Sequence, residues 1–156
     1  MRYFVLASDY DETLAHDSTV SESTLAAISR LTDSARKMVL VTGRTLDELL
    51  TVFPNVHVFE RIVAENGAVL YNPATRERQL LAEAPPGKFI AELTARGVDP
   101  IQVGDVIVAT REPHETTVLA TIRDLGMGHQ VIFNKGAVMV LPPGVDKGTG
   151  LKAALA

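Results

Sequence analysis

Asp9, Asp11 and Thr13 stand at alternate positions just after the apolar run Tyr3-Phe4-Val5-Leu6-Ala7. Thr42 closes a second apolar run, Met38-Val39-Leu40-Val41, and Lys147 follows the break Pro142-Pro143-Gly144. Each has an ordinary explanation when taken singly. Asp and Thr after a strand close loops by hydrogen-bonding to the backbone, threonine is a common strand residue, and a lone lysine is a solvated surface group. Together, two carboxylates, a hydroxyl and an ammonium on neighbouring strand ends make a phosphoryl-transfer site. One carboxylate can attack phosphorus to form an aspartyl phosphate. The other can protonate the leaving oxygen and then activate water. The lysine and threonine can neutralise and hydrogen-bond the developing charge, and Mg²⁺ can bridge carboxylate and phosphate oxygens.

Such residues meet only if the elements that carry them lie side by side. The run at 3–7 is continuously apolar rather than alternating, which predicts a strand covered on both faces, as in a parallel sheet. Ser21 is placed to cap a helix carrying Leu25, Ile28 and Leu31 at helical spacing. Met38 to Val41 reads as a second buried strand. Thr45 with Glu48 three residues on has capping-box spacing and opens a short helix through Val52, which Pro54 stops. Arg61-Ile62-Val63-Ala64 is a third strand, and the Asn66-Gly67 pair before Ala68-Val69-Leu70-Tyr71 signals a hairpin turn. Strand, helix, strand, helix, strand predicts an α/β fold with a partial Rossmann-like parallel sheet core. In open sheets of that kind, ligands collect at the carboxyl ends of the strands, where Asp9 and Thr42 fall.

After about Asn72 the pattern changes. A helix is expected from Gly87 to Arg96, and a hairpin with Ile101-Gln102-Val103 and Val106-Ile107-Val108 flanking Gly104-Asp105. His114 to Leu125 reads as a helix with Gly126 beyond its end, and Asn134-Lys135-Gly136 as the turn of a second hairpin. This helix–hairpin–helix–hairpin predicts an inserted α+β cap over 81–141, with the core formed by 1–80 and 142–156.

The chain has 156 residues, 46% of them apolar and 22% charged, with 15 Lys and Arg against 19 Asp and Glu. A mildly acidic chain without a basic stripe is a poor holder of nucleic acid, whose binding depends on cationic side chains. The absence of cysteine excludes disulfides and thiolate metal sites. No apolar run approaches the ~18 residues of a membrane span, and the apolar start is too short for a signal peptide. A cytoplasmic protein without nucleic acid or membrane partners is expected, its oligomeric state left open.

The segments Ser8-Asp9-Tyr10-Asp11-Glu12-Thr13-Leu14, Val41-Thr42-Gly43-Arg44, Glu65-Asn66-Gly67-Ala68 and Pro143-Gly144-Val145-Asp146-Lys147-Gly148 resemble successive motifs of the haloacid dehalogenase superfamily. Their order and spacing are similar to the branch with a small α+β cap after the third core strand (type IIB, Cof-like or sucrose-phosphatase-like). The resemblance implies a Mg²⁺-dependent hydrolase of phosphate monoesters, acting on a sugar phosphate or similar small phosphorylated metabolite. It makes Asp9 the nucleophile and a Mg²⁺ ligand, and Asp11 the general acid/base, with its main-chain carbonyl on the metal. Thr42 and Lys147 would bind the phosphoryl group, and Thr13 would order the first motif's loop. Arg44 and Asn66 would touch substrate or support the loops. Glu12 stands where this branch most often has glycine. Glu112, His114, Asn134 and Lys135 are the polar cap residues available to select a substrate.

The resemblance also implies a further acidic motif after the lysine, whereas the nine residues Gly148 to Ala156 contain no acid. Gly104-Asp105 lies before the lysine and has Ala109 four residues beyond the Asp. We therefore expect an N-terminal piece of a larger protein, with doubtful activity by itself, or else a non-catalytic binding or regulatory domain. A phosphoacceptor signalling domain also uses aspartates, a hydroxyl and a lysine on strand ends. It needs an acceptor Asp after the third strand, where this chain has Glu65-Asn66, and it has no inserted cap.

Overall fold

Val5–Asp9 (β1) runs parallel to Lys37–Val41 (β4), which runs parallel to Arg61–Ala64 (β5) in the computed structural model, which describes residues 3–156. Between β1 and β4 lie a small hairpin, Ala15–His16 (β2) and Thr19–Val20 (β3), and the helix Glu22–Asp33 (α1). Ser21 caps α1, its Oγ accepting from the Thr24 amide at 3.2 Å. Leu46–Val52 (α2) joins β4 to β5 and is capped by Thr45, whose hydroxyl accepts from the Glu48 amide at 3.3 Å. After a tight turn at Glu65–Gly67 the chain reverses into Val69–Asn72 (β6) and then Glu77–Leu80 (β7), both antiparallel. The sheet order is β1-β4-β5-β6-β7, parallel on one side and antiparallel on the other. Chain order and pairing make this the expected α/β core. The small hairpin and β7 are additions, since short exposed strands leave no apolar alternation to read.

The chain divides into two compact units, one running up to Leu81 and resuming at Asp146–Ala156, the other Ala82–Val145. The second unit contains Gly87–Ala95 (α3), Gln102–Val103 (β8), Val108–Arg111 (β9), Glu115–Asp124 (α4), Gln130–Asn134 (β10) and Ala137–Leu141 (β11). Its four strands form one antiparallel sheet, β10-β11-β9-β8. Phe89 and Leu93 of α3 and Val118 and Ile122 of α4 pack on Val108, Val138 and Val140 of that sheet. This is the anticipated helix–hairpin–helix–hairpin. One turn differs: the first hairpin closes through four residues, with the Gly104 amide donating to the Ile107 carbonyl at 2.8 Å. Val106 and Ile107, expected in a strand, are buried inside that loop instead. Burying two large apolar side chains outweighs the two-residue turn that Gly104-Asp105 would favour. The second hairpin is tighter than expected. Asn134 pairs with Ala137, leaving Lys135 (φ 49°) and Gly136 (φ 81°) as a two-residue turn of the primed kind.

The chain then returns to the first unit as Lys147–Leu155 (α5). Leu151 and Ala154 pack on a small core of Val39, Val41 and Val63, which with Leu40 and Ile62 are almost wholly buried. β1 corrects the sequence expectation of cover on both faces. Val5 and Leu6 are 37% and 47% exposed: β1 lies at the sheet's edge, and α1 and α5 pack chiefly on β4, β5 and β6. No helix among the described residues is long and apolar enough to cross a membrane.

Candidate active site

Asp9 is the last residue of β1 and pairs in register with Val41, so Thr42 follows beside it at the same carboxyl edge. The Asp9 carboxylate accepts two hydrogen bonds: Oδ1 from the Tyr10 amide at 2.7 Å and Oδ2 from Lys147 Nζ at 2.6 Å. Both side chains of that ion pair are about 40% exposed (42% and 41%), open enough for a ligand to reach. Lys147 is placed by α5, of which it is the first residue. Asp146 caps this helix, its Oδ1 accepting from the Thr149 amide at 2.7 Å while Thr149 Oγ1 accepts from the Asp146 amide at 3.0 Å.

Asp11 faces Arg44. The guanidinium donates from Nε to Oδ2 at 2.9 Å and from Nη2 to Oδ1 at 2.8 Å, the two-pronged geometry that a planar fork and a carboxylate favour. Arg44 Nη1 donates to Glu48 Oε1 at 2.9 Å, and Nη2 also to Ser18 Oγ at 2.6 Å. The hydrogen bond to Asp11, foremost, holds the guanidinium above its ordinary pKa despite partial burial. Tyr10 lies beneath, its ring centroid 5.6 Å from the Arg44 Cζ atom, and its hydroxyl donates to the Ser18 carbonyl at 2.9 Å. Burial pushes the Tyr10 phenol above its ordinary value.

Thr42 is fully buried. Its amide donates to Val63 O at 2.8 Å, its hydroxyl accepts from the Arg44 amide at 3.1 Å, and its carbonyl accepts from the Asn66 amide at 3.0 Å. The Glu65 amide donates to the Arg44 carbonyl at 2.9 Å. The loops after β4 and β5 are therefore stitched together. Asn66 has φ 54° and ψ 31°, a left-handed conformation that asparagine tolerates better than most side chains. It is 7% exposed, and its amide fills the space beside Gly43, where a Cβ would lie 3.0 Å from Asn66 Oδ1.

The structure thus brings Asp9, Asp11, Thr42, Arg44, Asn66 and Lys147 to one edge of the sheet. Thr13 is exposed and lines an open groove of about 220 Å³ with His16, Ser21 and Thr24. The first-motif turn closes around the Tyr10 carbonyl, which accepts from the amides of Thr13, Leu14 and Ala15. Sequence reasoning missed Tyr10, Ser18 and Glu48. Glu48 was legible as an acid in the first turn of α2, four residues beyond Arg44, which precedes the helix cap; Ser18 carried no local signal. Within the second unit, exposed Glu112, Asn134 and Lys135 gather at one end of the sheet, the Glu112 amide donating to the Gly136 carbonyl at 2.9 Å. His114 is apart from them, its Nε2 3.0 Å from the Asp99 carbonyl oxygen.

No group of three or more metal-ligating side chains occurs among the described residues. The Asp9 carboxylate and the Asp11 main-chain carbonyl nonetheless provide hard oxygen donors, and Mg²⁺ is commonly held by one or two carboxylates plus waters and substrate phosphate. The donor set fits that ion in kind.

The family model for haloacid dehalogenase-like hydrolases matches residues 6–94. No curated protein matches the chain in sequence. Among solved structures, a haloacid dehalogenase-like hydrolase from Bacteroides thetaiotaomicron is similar over 99% of this chain and 76% of its own, at 16% identity and TM-score 0.77. The C-terminal domain of a C. albicans trehalose-6-phosphate phosphatase is similar over 95% of this chain and 60% of its own, at 18% identity and TM-score 0.72. A HAD subclass IIB sugar phosphatase is similar over 96% and 74%, at 16% identity and TM-score 0.69. At these identities the likeness is one of fold.

Proposed function

The chain belongs to the haloacid dehalogenase-like hydrolases, and from that premise we propose that it hydrolyses phosphate monoesters of small metabolites, sugar phosphates foremost, through an aspartyl phosphate on Asp9. The observation that carries the reading is the pairing of Asp9 with Lys147, 138 residues apart, at the carboxyl end of β1. Phosphatase and phosphotransferase structures of the same fold support the reaction class.

In this reading an Asp9 oxygen attacks phosphorus and the P–O bond to the leaving alcohol breaks. Asp11, which must first take up a proton at an oxygen now held by Arg44, gives it to the alkoxide. Water then attacks the phosphorus of the aspartyl phosphate, Asp11 takes its proton, and phosphate departs to restore Asp9. Lys147 neutralises charge on the phosphoryl oxygens, as preorganised donors do in a partly dehydrated site. Thr42 fixes the backbone that brings the loop after β4 to the phosphoryl position. The Asp9 carboxylate and the Asp11 main-chain carbonyl would hold Mg²⁺, which would supply further charge neutralisation when bound. The protein would act in the cytoplasm, as a cysteine-free chain allows.

The competing reading is a non-catalytic binding domain. It draws on the ion pairing of both carboxylates, Asp9 with Lys147 and Asp11 with Arg44. Hydrolysis of p-nitrophenyl phosphate and a panel of sugar phosphates, with Mg²⁺ and with EDTA, separates the two. Metal-dependent turnover that Asp9→Asn abolishes is expected. Turnover that survives Asp9→Asn overturns the nucleophile, and a folded chain inert toward the whole panel favours the binding domain.

A further inference from the structure

We infer that Arg44 is a positioning residue, not a substrate contact, and that it couples the β2–β3 hairpin to the Asp11 carboxylate. The inference rests on the phosphatase reading only for the role given to Asp11. Arginine has five N–H donors, and four are committed: Nε and Nη2 to Asp11, Nη2 also to Ser18, and Nη1 to Glu48. The side chain is 16% exposed, with the Tyr10 ring on one face. An arginine so committed has little left with which to grip a ligand.

The hairpin has its own reason to need this arrangement. Its strands are two residues each, and an isolated two-stranded hairpin is marginal in water. Its turn, Asp17 (φ 48°) and Ser18 (φ 64°), is left-handed at both positions. Such turns favour Asn-Gly or Asp-Gly, so serine at the second position is strained relative to glycine. Two bonds offset that strain: the Tyr10 hydroxyl donates to Ser18 O and Arg44 Nη2 to Ser18 Oγ. Both tethers come from residues adjoining the active-site strand ends, and one nitrogen, Nη2, serves Ser18 and Asp11 together. A hairpin that lifts must release Ser18 from Nη2, which loosens the guanidinium's hold on Asp11. An Asp11 that leaves Arg44 withdraws support from the turn. Coupling free energies are reciprocal, so each perturbation must be felt at the other end.

Proton-exchange NMR on the chain tests this without substrate or metal. Ser18 bonds Nη2 alone, so exchange of the Arg44 Nε proton, which bonds Asp11, is the transmitted signal. Ser18→Ala is expected to speed that exchange about fivefold to tenfold, the worth of one net hydrogen bond. Asp11→Asn is expected to speed exchange of the hairpin amides of residues 15–20 by a similar factor, with the amides of β4 and β5 unchanged. Arg44→Lys, which keeps charge but not the two-pronged geometry, should reproduce the hairpin effect, and adding Asp11→Asn to it should bring no further loss. An Arg44 Nε proton unmoved in Ser18→Ala overturns the coupling. So does acceleration in β4 and β5 equal to that in the hairpin, which would make Arg44 a general fold contact. Neither result bears on whether Asp9 is the nucleophile.

Discussion

Gly150, on the second turn of α5, lies so close to Gly67 that a Cβ built on it would be 2.6 Å from Gly67 Cα and 2.4 Å from Val63 Cγ1. Gly67 is as tightly placed from the other side: a Cβ there would be 1.9 Å from the Asp146 carbonyl oxygen. Gly67 also has φ 105°, which side-chain-bearing residues rarely adopt. The start of α5 therefore rests directly on backbone at the turn after β5. This contact places Lys147, at the head of the same helix, within reach of Asp9.

Gly150→Ala should therefore destabilise the fold by about 1–3 kcal/mol through overpacking. Gly67→Ala should cost more, because strain at positive φ adds to the clash. Urea midpoints measure both. In whatever fraction stays folded, the expected loss of phosphatase activity exceeds the loss of folded protein, since Lys147 is displaced with its helix.

Lys147→Met separates stability from chemistry. Its ion pair with Asp9 is about 40% exposed on both sides, and such pairs contribute ~0–1 kcal/mol, so the melting temperature should hardly move. Turnover should fall by about 10²–10³, the usual cost of removing one charge-stabilising donor. Circular dichroism melts beside p-nitrophenyl phosphate kinetics give the comparison.

Thr42→Val keeps the shape of a fully buried side chain but removes the acceptor for the Arg44 amide. An unsatisfied buried donor costs about 1–3 kcal/mol, and the loop carrying Arg44 should loosen with it. Thr42→Ser keeps the oxygen and should recover most of the stability. Chemical denaturation of the two variants, side by side, tests the assignment.

His129 supplies a pH dependence. Burial pushes its imidazole below the ordinary 6.5, and its Nδ1 is buried with no hydrogen-bond partner among the described residues. The folded state prefers the neutral ring. That contribution is complete above pH 6.5 and is lost as pH falls through the lower folded value. Glu60 and Asp124 also have lowered values, but their unfolded references lie at 4.5 and 3.8, so their losses come at more acid pH. Urea midpoints measured from pH 7.5 to about 5 should decline in the parent, and His129→Gln should flatten that decline.

Much of the positional frame was legible from local chemistry. Ser21 and Thr45 cap the helices where their types and spacing say they should, and Arg61–Ala64 is the strand its apolar run predicts. Capping and turn preferences act over three or four residues, so one short stretch contains the whole signal. Glu48 shows the limit of that reasoning. It holds the third helical position of a capping box, yet its carboxylate accepts from Arg44, because a cation four residues before it competes for the same oxygens.

The amino-acid sequence by itself determined the order of the main strands and helices, the alternation of Asp9 with Asp11, and the positions of Thr42 and Lys147 after strand and break. Tertiary structure alone decided which cation meets which carboxylate: Lys147 takes Asp9, and Arg44 takes Asp11 with Ser18. It also left β1 at an exposed edge, although its run of apolar residues reads as interior. The reason is one of range. Propensity and capping are settled by neighbours along the chain, whereas the pairing of residues 138 apart depends on how closely two backbones can approach. Here that approach is set by the missing side chains of Gly67 and Gly150.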